Sequence, residues 1–157
     1  MDCGFVIKPS ARQLELVELI EDPCFVLTAK NHPFREKEVV TMEDMRNEDF
    51  IQTFWTNVYA ASILFHEASW QPRLKFTTEN DYASIAMVRQ GLGITLLPWL
   101  IVKDFQDQVC VRRIQPTYVR RICIAVRSLE KASPLARVFV DFLKEWKKKE
   151  TENAAQR

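Results

Sequence analysis

Leu135, Val138, Phe139, Phe142, Leu143 and Trp146 follow one another at intervals of 3, 1, 3, 1 and 3 residues. That spacing returns each side chain to one side of a 3.6-residue turn, so the segment can hide them only as an amphipathic helix laid on a partner. Ser133 supplies an N-cap and Pro134 the first helical position, where its missing N–H costs nothing. Lys147-Lys148-Lys149 closes the segment with cations that suit the helix dipole, and is read as a solvated helix end. Beyond Glu150 the residues are polar, and 151–157 is read as a frayed tail. The stripe demands a sheet to cover it, and the rest of the chain must contain one.

Strand-like runs are present throughout. Residues 4–7, 24–29, 49–54, 74–78, 94–97, 109–114 and 119–126 are short and rich in apolar residues. Residues 14–20 form a further apolar run, punctuated by Asp22-Pro23. Consecutive apolar residues from 122 to 126 suit a sheet covered on both faces. Between these runs lie helix signals. Thr41-Met42-Glu43-Asp44 has the form of a capping box and predicts a short helix. Asn57 can cap a helix over residues 57–68, which Gln71-Pro72 ends. Asn80 or Asp81 caps another that stops at Gly91, a left-handed terminating glycine. Strands alternating with helices through short polar turns predict an α/β fold with mostly parallel strands. At 157 residues the chain is one domain or two small lobes, and needs no disulfide or metal staple.

Several function classes are excluded early. Lys and Arg number 22 against 21 Asp and Glu, a net charge of +1, whereas gripping nucleic acid needs clustered positive charge. Cys3, Cys24, Cys110 and Cys123 are scattered beside apolar residues with no CxxC pair, and read as reduced, buried thiols. With His32 and His66 as the only histidines, neither a zinc site nor a Cys–His pair has a signature, and no metal or cofactor is expected. No signal peptide and no membrane-length apolar run is evident, so a cytoplasmic location is expected.

Ligands of parallel α/β sheets sit at the carboxyl ends of strands, beside the starts of the following helices. Two such junctions are polar: Thr53-Phe54-Trp55-Thr56-Asn57 and Thr77-Thr78-Glu79-Asn80-Asp81. Hydroxyls, amides and free N–H groups there would make a neutral, donor-rich pocket for a carboxylate or phosphate. The alternative is that Asn57, Asn80 and Asp81 only cap helices. Enzymatic chemistry finds no support: Glu79 and Asp81 diverge at a helix start, His66 falls near a helix end, and His32 lies in a turn. Gln90-Gly91-Leu92-Gly93 follows a helix and precedes a strand, the reverse of a dinucleotide-binding loop, and reads as a tight turn.

Met87-Val88-Arg89-Gln90-Gly91-Leu92-Gly93-Ile94-Thr95-Leu96-Leu97-Pro98 resembles the glycine–proline signature in the regulatory domain of LysR-type transcriptional regulators. Asp2-Cys3-Gly4-Phe5, Asn31-His32-Pro33-Phe34, 40–45, 49–51, 121–126 and 133–143 resemble further pieces of that domain, in the same order. The resemblance implies a periplasmic-binding-protein-like (type 2) two-lobed fold with a small effector held in the cleft. Residues 1–22 and 113–150 would form a partial first lobe, and 23–112 a complete second lobe. Ile7, Thr53, Trp55, Thr56, Asn57, Thr78, Glu79, Asn80 and Asp81 would face the effector, expected to be a small anionic metabolite. Family regulators reach DNA through a helix-turn-helix that this chain lacks, so DNA is a partner only through a part outside it. A partial first lobe leaves apolar surface open, and self-association is expected. The alternative is a periplasmic-type solute-binding receptor of the same fold.

Overall fold

The computed structural model describes residues 2–8, 14–53, 65 and 71–155. The predicted helix over residues 57–68 therefore lies outside the described residues apart from Phe65, which is helical and buried. The chain forms two compact units: Met1–Glu21 with Arg120–Arg157, and Asp22–Val119. It passes between them twice, each time within a strand.

In the first unit, β1 (Cys3–Lys8) pairs antiparallel with β8 (Val119–Val126), with Phe5 opposite Ile124 and Ile7 opposite Ile122. The helix α3 (Pro134–Ala155) starts as its sequence predicts. Ser133 Oγ accepts from Ala136 N–H at 3.4 Å and donates to the Asp2 carboxylate at 2.9 Å, placing an anion at the helix N-terminus. The helix also runs on to Ala155, through the segment expected to be a frayed tail. Lys147, expected to be only solvated, donates to Glu18 O at 2.9 Å.

The buried face of α3 differs from the predicted stripe. Ala136, Val140 and Leu143 are buried, Leu143 being the one of them that the predicted stripe includes, and Val140 and Leu143 pack with Leu19, Ile124 and Val126. Leu135, Val138 and Phe142 stay 80%, 66% and 60% exposed. The centres of these two faces lie about 100° apart around the helix, so one sheet surface cannot take both. The face that meets the sheet wins the burial, and of the predicted stripe it takes Leu143 alone.

In the second unit, β2 (Glu15–Thr28) continues from the first unit straight through Asp22-Pro23, which was expected to break it. The physical reason is a pair of substitute contacts. The buried Asp22 carboxylate accepts at 2.9 Å from the N–H of Leu100 in the short helix α2 (Trp99–Val102), and Cys24 N–H donates to Tyr118 O at 2.9 Å. β2 pairs antiparallel with β6 (Thr95–Pro98) and with β7 (Cys110–Gln115), while β3 (Val39–Thr41) runs parallel to β7. A separate parallel pair joins β4 (Asp49–Thr53) to β5 (Arg73–Thr78). The strands are thus mixed in direction, and the expectation of mostly parallel pairing is corrected. Short polar connections are equally compatible with an antiparallel return, so sequence alternation could not tell the two apart.

The capping box forms, but without its helix. Thr41 Oγ accepts from Asp44 N–H at 3.2 Å, and the Asp44 carboxylate accepts from Thr41 N–H at 2.9 Å. Only turns follow, because the chain must enter β4 at Asp49. Around β4 lie two apolar clusters. One gathers Val26, Val40, Met45, Phe50 and Leu96, with Phe50 edge-on to Phe65 at 5.1 Å; the other gathers Leu27, Ile51, Ile85, Val88 and Leu97.

Candidate functional site

β4 and β5 run side by side in the same direction, so their carboxyl ends arrive together. Register places Thr53 opposite Thr78, after an irregularity between Phe50 and Ile51. Ile51 N–H donates to Ile94 O at 2.9 Å and Ile94 N–H to Asp49 O at 2.8 Å, fixing β4 against the segment that enters β6. Thr95, which the sequence pattern did not single out, adds a hydroxyl that donates to Ile51 O at 2.8 Å. Its signal was a single polar residue within the apolar run from 94 to 97. Thr95 thereby holds β4 two residues before Thr53.

Thr53 is wholly buried, and its Oγ1 has no hydrogen-bond partner among the described residues. A buried hydroxyl left unpaired costs roughly 1–3 kcal/mol, so its persistence at a strand end marks a place where a polar partner belongs. Thr78, by contrast, is committed locally: its Oγ1 accepts from Asn80 N–H at 3.1 Å and lies 3.4 Å from Asn80 O.

Asn80 opens the helix α1 (Asp81–Arg89) from an extended backbone. Its Oδ1 accepts from Tyr82 N–H at 2.8 Å and Ala83 N–H at 3.2 Å, so the amide oxygen caps the helix. The Nδ2 group has no partner among the described residues and remains available as a donor. Ser84 Oγ turns back to donate to Asp81 O at 2.7 Å. Glu79 is exposed and Asp81 half-buried. The exposed ring of Tyr82 stands 5.7 Å from Phe105, an aromatic pair beside the helix start.

Of the nine candidate residues, the structure brings Thr53, Thr78, Glu79, Asn80 and Asp81 to one end of the β4–β5 pair. Trp55, Thr56 and Asn57 lie outside the described residues. Ile7 belongs to the other unit, near the end of β1. His66 also lies outside the described residues. His32 serves the local fold, since its Nδ1 accepts from Phe34 N–H at 3.2 Å and its Nε2 lies 3.3 Å from a Glu48 carboxylate oxygen.

Among the described residues, the two carboxyls with clearly displaced acidity are at the far end of these strands or beyond. Hydrogen bonding from Lys75, and then from Arg73, holds Asp49 below the ordinary carboxylate value; Lys37, and then Thr41 N–H, do the same for Asp44. Both are structural ion pairs. Among the described residues, the strand ends present hydrogen-bonding side chains and no paired acid and base.

Residues 1–148 match the family described as LysR substrate binding domain. The chain is 27% identical over 147 residues to an uncharacterized HTH-type transcriptional regulator, YvbU of Bacillus subtilis, covering 92% of this chain and 50% of that protein. The chain spans about half the length of the curated relatives it matches. Among solved structures, the CcmR regulatory domain from Synechocystis PCC6803, described in complex with 2-PG, superposes with a TM-score of 0.83. It is 21% identical and covers 94% of this chain and 74% of that one. The effector binding domain of QuiR, described in complex with shikimate, is 25% identical with a TM-score of 0.76, over 92% of this chain and 72% of that one.

Proposed function

Since the chain belongs to the LysR substrate-binding domain family, we propose that it is the effector-sensing part of a transcriptional regulator and carries out no catalysis itself. Its site would be the carboxyl end of β4 and β5 with the start of α1. The observation that carries this reading is the buried Thr53 hydroxyl, unpaired among the described residues and in register with Thr78. A ligand oxygen there would accept from Thr53, and Asn80 Nδ2 would donate to it from the helix start. Trp55, Thr56 and Asn57 follow β4 directly in sequence and would complete that side, with Glu79 and Asp81 at the rim.

The expected ligand is a small metabolite bearing a carboxylate or phosphate, because the groups offered are donors and a helix N-terminus favours negative charge. Shikimate, described as bound to QuiR, is itself a carboxylate. DNA contact and a cytoplasmic setting are part of the same proposal, with DNA reached through a region outside this chain. The matched relatives are transcriptional regulators, which leaves the solute-receptor alternative without support.

Thermal-shift and calorimetric titration of the 157-residue chain with a panel of small carboxylates and phosphates tests the reading. Saturable binding is expected from at least one member, and Thr53→Val, Thr56→Val and Asn80→Ala should each weaken it. A ligand that binds equally well to all three variants would place the site elsewhere.

A further inference from the structure

A second hollow, of about 450 Å³, is built entirely from residues of Asp22–Val119 and uses none of the candidate residues at the ends of β4 and β5. Sites for small organic molecules span roughly 300–1,000 Å³, so the size suits one such ligand. Its floor is aromatic. Phe25 on β2 and Trp99 at the start of α2 stand with ring centroids 5.3 Å apart and planes at 49°, both half-buried. Register sets Arg113 on β7 directly opposite Phe25, which puts the two side chains on one face of the sheet. Val111, two residues earlier on β7, shares that face, and Glu38 and Gln106 stand at the rim.

Most of the polar groups around this hollow are already committed. Arg112 donates to Phe34 O at 3.2 Å, Arg35 O at 2.6 Å and Val111 O at 2.8 Å, clamping that wall onto β7. Lys37 Nζ donates to Asp44 at 2.8 Å, and Glu36 accepts from Arg35 Nε at 2.7 Å. Gln106 Nε2 donates to Lys103 O at 2.9 Å, which leaves its Oε1 as an acceptor. Arg113 and Glu38 differ from these: both are exposed, and neither has a hydrogen-bond or ion-pair partner among the described residues. The hollow thus offers one uncommitted cation, one uncommitted anion and an aromatic floor. A simple carboxylate would satisfy Arg113 but meet Glu38 with like charge, and a simple amine would do the reverse. A zwitterion with a flat apolar body satisfies all three, its carboxylate taking two parallel N–H bonds from the guanidinium.

We propose that this hollow is a second ligand site, one that takes a free α-amino acid with an aromatic side chain. Arg113 holds the carboxylate, Glu38 and Gln106 Oε1 accept from the ammonium, and the ring lies against Phe25 and Trp99. The proposal makes no use of Thr53 or Asn80, so it stands apart from the effector reading.

Calorimetric titration of the chain with L-phenylalanine, L-tyrosine and L-tryptophan tests the site. Two further probes, 3-phenylpropanoate and 2-phenylethylamine, lack the ammonium and the carboxylate of phenylalanine respectively. Saturable binding of at least one amino acid is expected, with both truncated probes about tenfold weaker or more. Arg113→Gln should weaken the amino acid by a similar factor. Glu38→Gln should weaken it too, yet leave 3-phenylpropanoate unchanged or tighter, a pattern that general damage to the fold would not produce. Both residues are exposed, so the Tm of each variant without ligand should stay unchanged. Thr53→Val should leave this binding intact, whatever becomes of the effector site. No binding of the three amino acids at millimolar concentration overturns the proposal. So does equal affinity for 3-phenylpropanoate, which would make the ligand a plain anion. Binding lost in Thr53→Val but kept in Arg113→Gln also overturns it, by placing the amino acid at the strand ends.

Discussion

A Cβ placed on Gly93 would lie 2.5 Å from the Asp49 carbonyl oxygen. The same carbonyl accepts from Ile94 N–H at 2.8 Å, so the backbone of β4 and the turn before β6 touch with no room for a side chain. Gly93→Ala must push β4 away from the segment that positions it, at a cost of about 3 kcal/mol. Gly91 is different: its φ is 70°, yet nothing lies within 4 Å of an added Cβ. Gly91→Ala should cost only the left-handed strain, about 1 kcal/mol. Urea unfolding of the two variants should separate them clearly; equal midpoints would refute the close-approach argument.

Removing the Thr53 hydroxyl, unpaired among the described residues, should help the empty protein and harm the occupied one. Thr53→Val keeps the shape and deletes a buried polar group, so a gain of about 1 kcal/mol is expected without ligand. Any ligand that raises the Tm of the unaltered chain should raise that of the variant less. A variant that is destabilised when empty would show that the hydroxyl has a partner after all.

Two leucines on α3 offer a matched comparison. Leu143 is buried in the cluster with Leu19 and Ile124, whereas Leu135 is 80% exposed. Leu143→Ala should lower stability by about 3 kcal/mol through lost contacts and a cavity. Leu135→Ala in the monomeric protein should change it by less than about 0.5 kcal/mol. Chemical denaturation at low protein concentration decides the matter, and reversed values would mean that the helix face has been misassigned.

Acid sensitivity should centre on Asp44 and Asp49, whose carboxyls are held below the ordinary 3.8 by the cations beside them. A carboxyl with a depressed folded pKa contributes in full above its unfolded value and loses that contribution as pH falls through the folded one. The urea midpoint should therefore be insensitive to these groups near neutral pH and fall below about pH 4. Asp49→Asn, which cannot titrate, should flatten part of that fall. An unchanged acid limb in this variant would remove Asp49 from the account.

The parts legible in the sequence were those governed by neighbouring residues. Asn80 caps α1, Gly91 ends it with a positive φ, and Ser133-Pro134 begins α3, because each depends on atoms within a few positions along the chain. What escaped depends on distant partners. Asp22-Pro23 looks like a break until Leu100 N–H arrives from far along the chain to satisfy the carboxylate. The stripe of α3 looks like the inner face until the sheet selects Ala136 and Val140, and of the stripe itself only Leu143 is buried. The candidate site divides the same way. Asn80 and Thr78 were visible as polar residues at a helix start, but the isolation of the Thr53 hydroxyl is a property of its surroundings, and no spacing encodes it.

The hydrogen bond from Cys24 to Tyr118 joins residues 94 positions apart at the two ends of Asp22–Val119. Entrance and exit of that segment are thus neighbours, as in a cassette spliced into a host. Such a segment can be excised with a short join, or given new termini in an exposed turn, without stretching its fold. Evolution and the laboratory have the same freedom here: the segment can be exchanged for another at two neighbouring junctions of the chain.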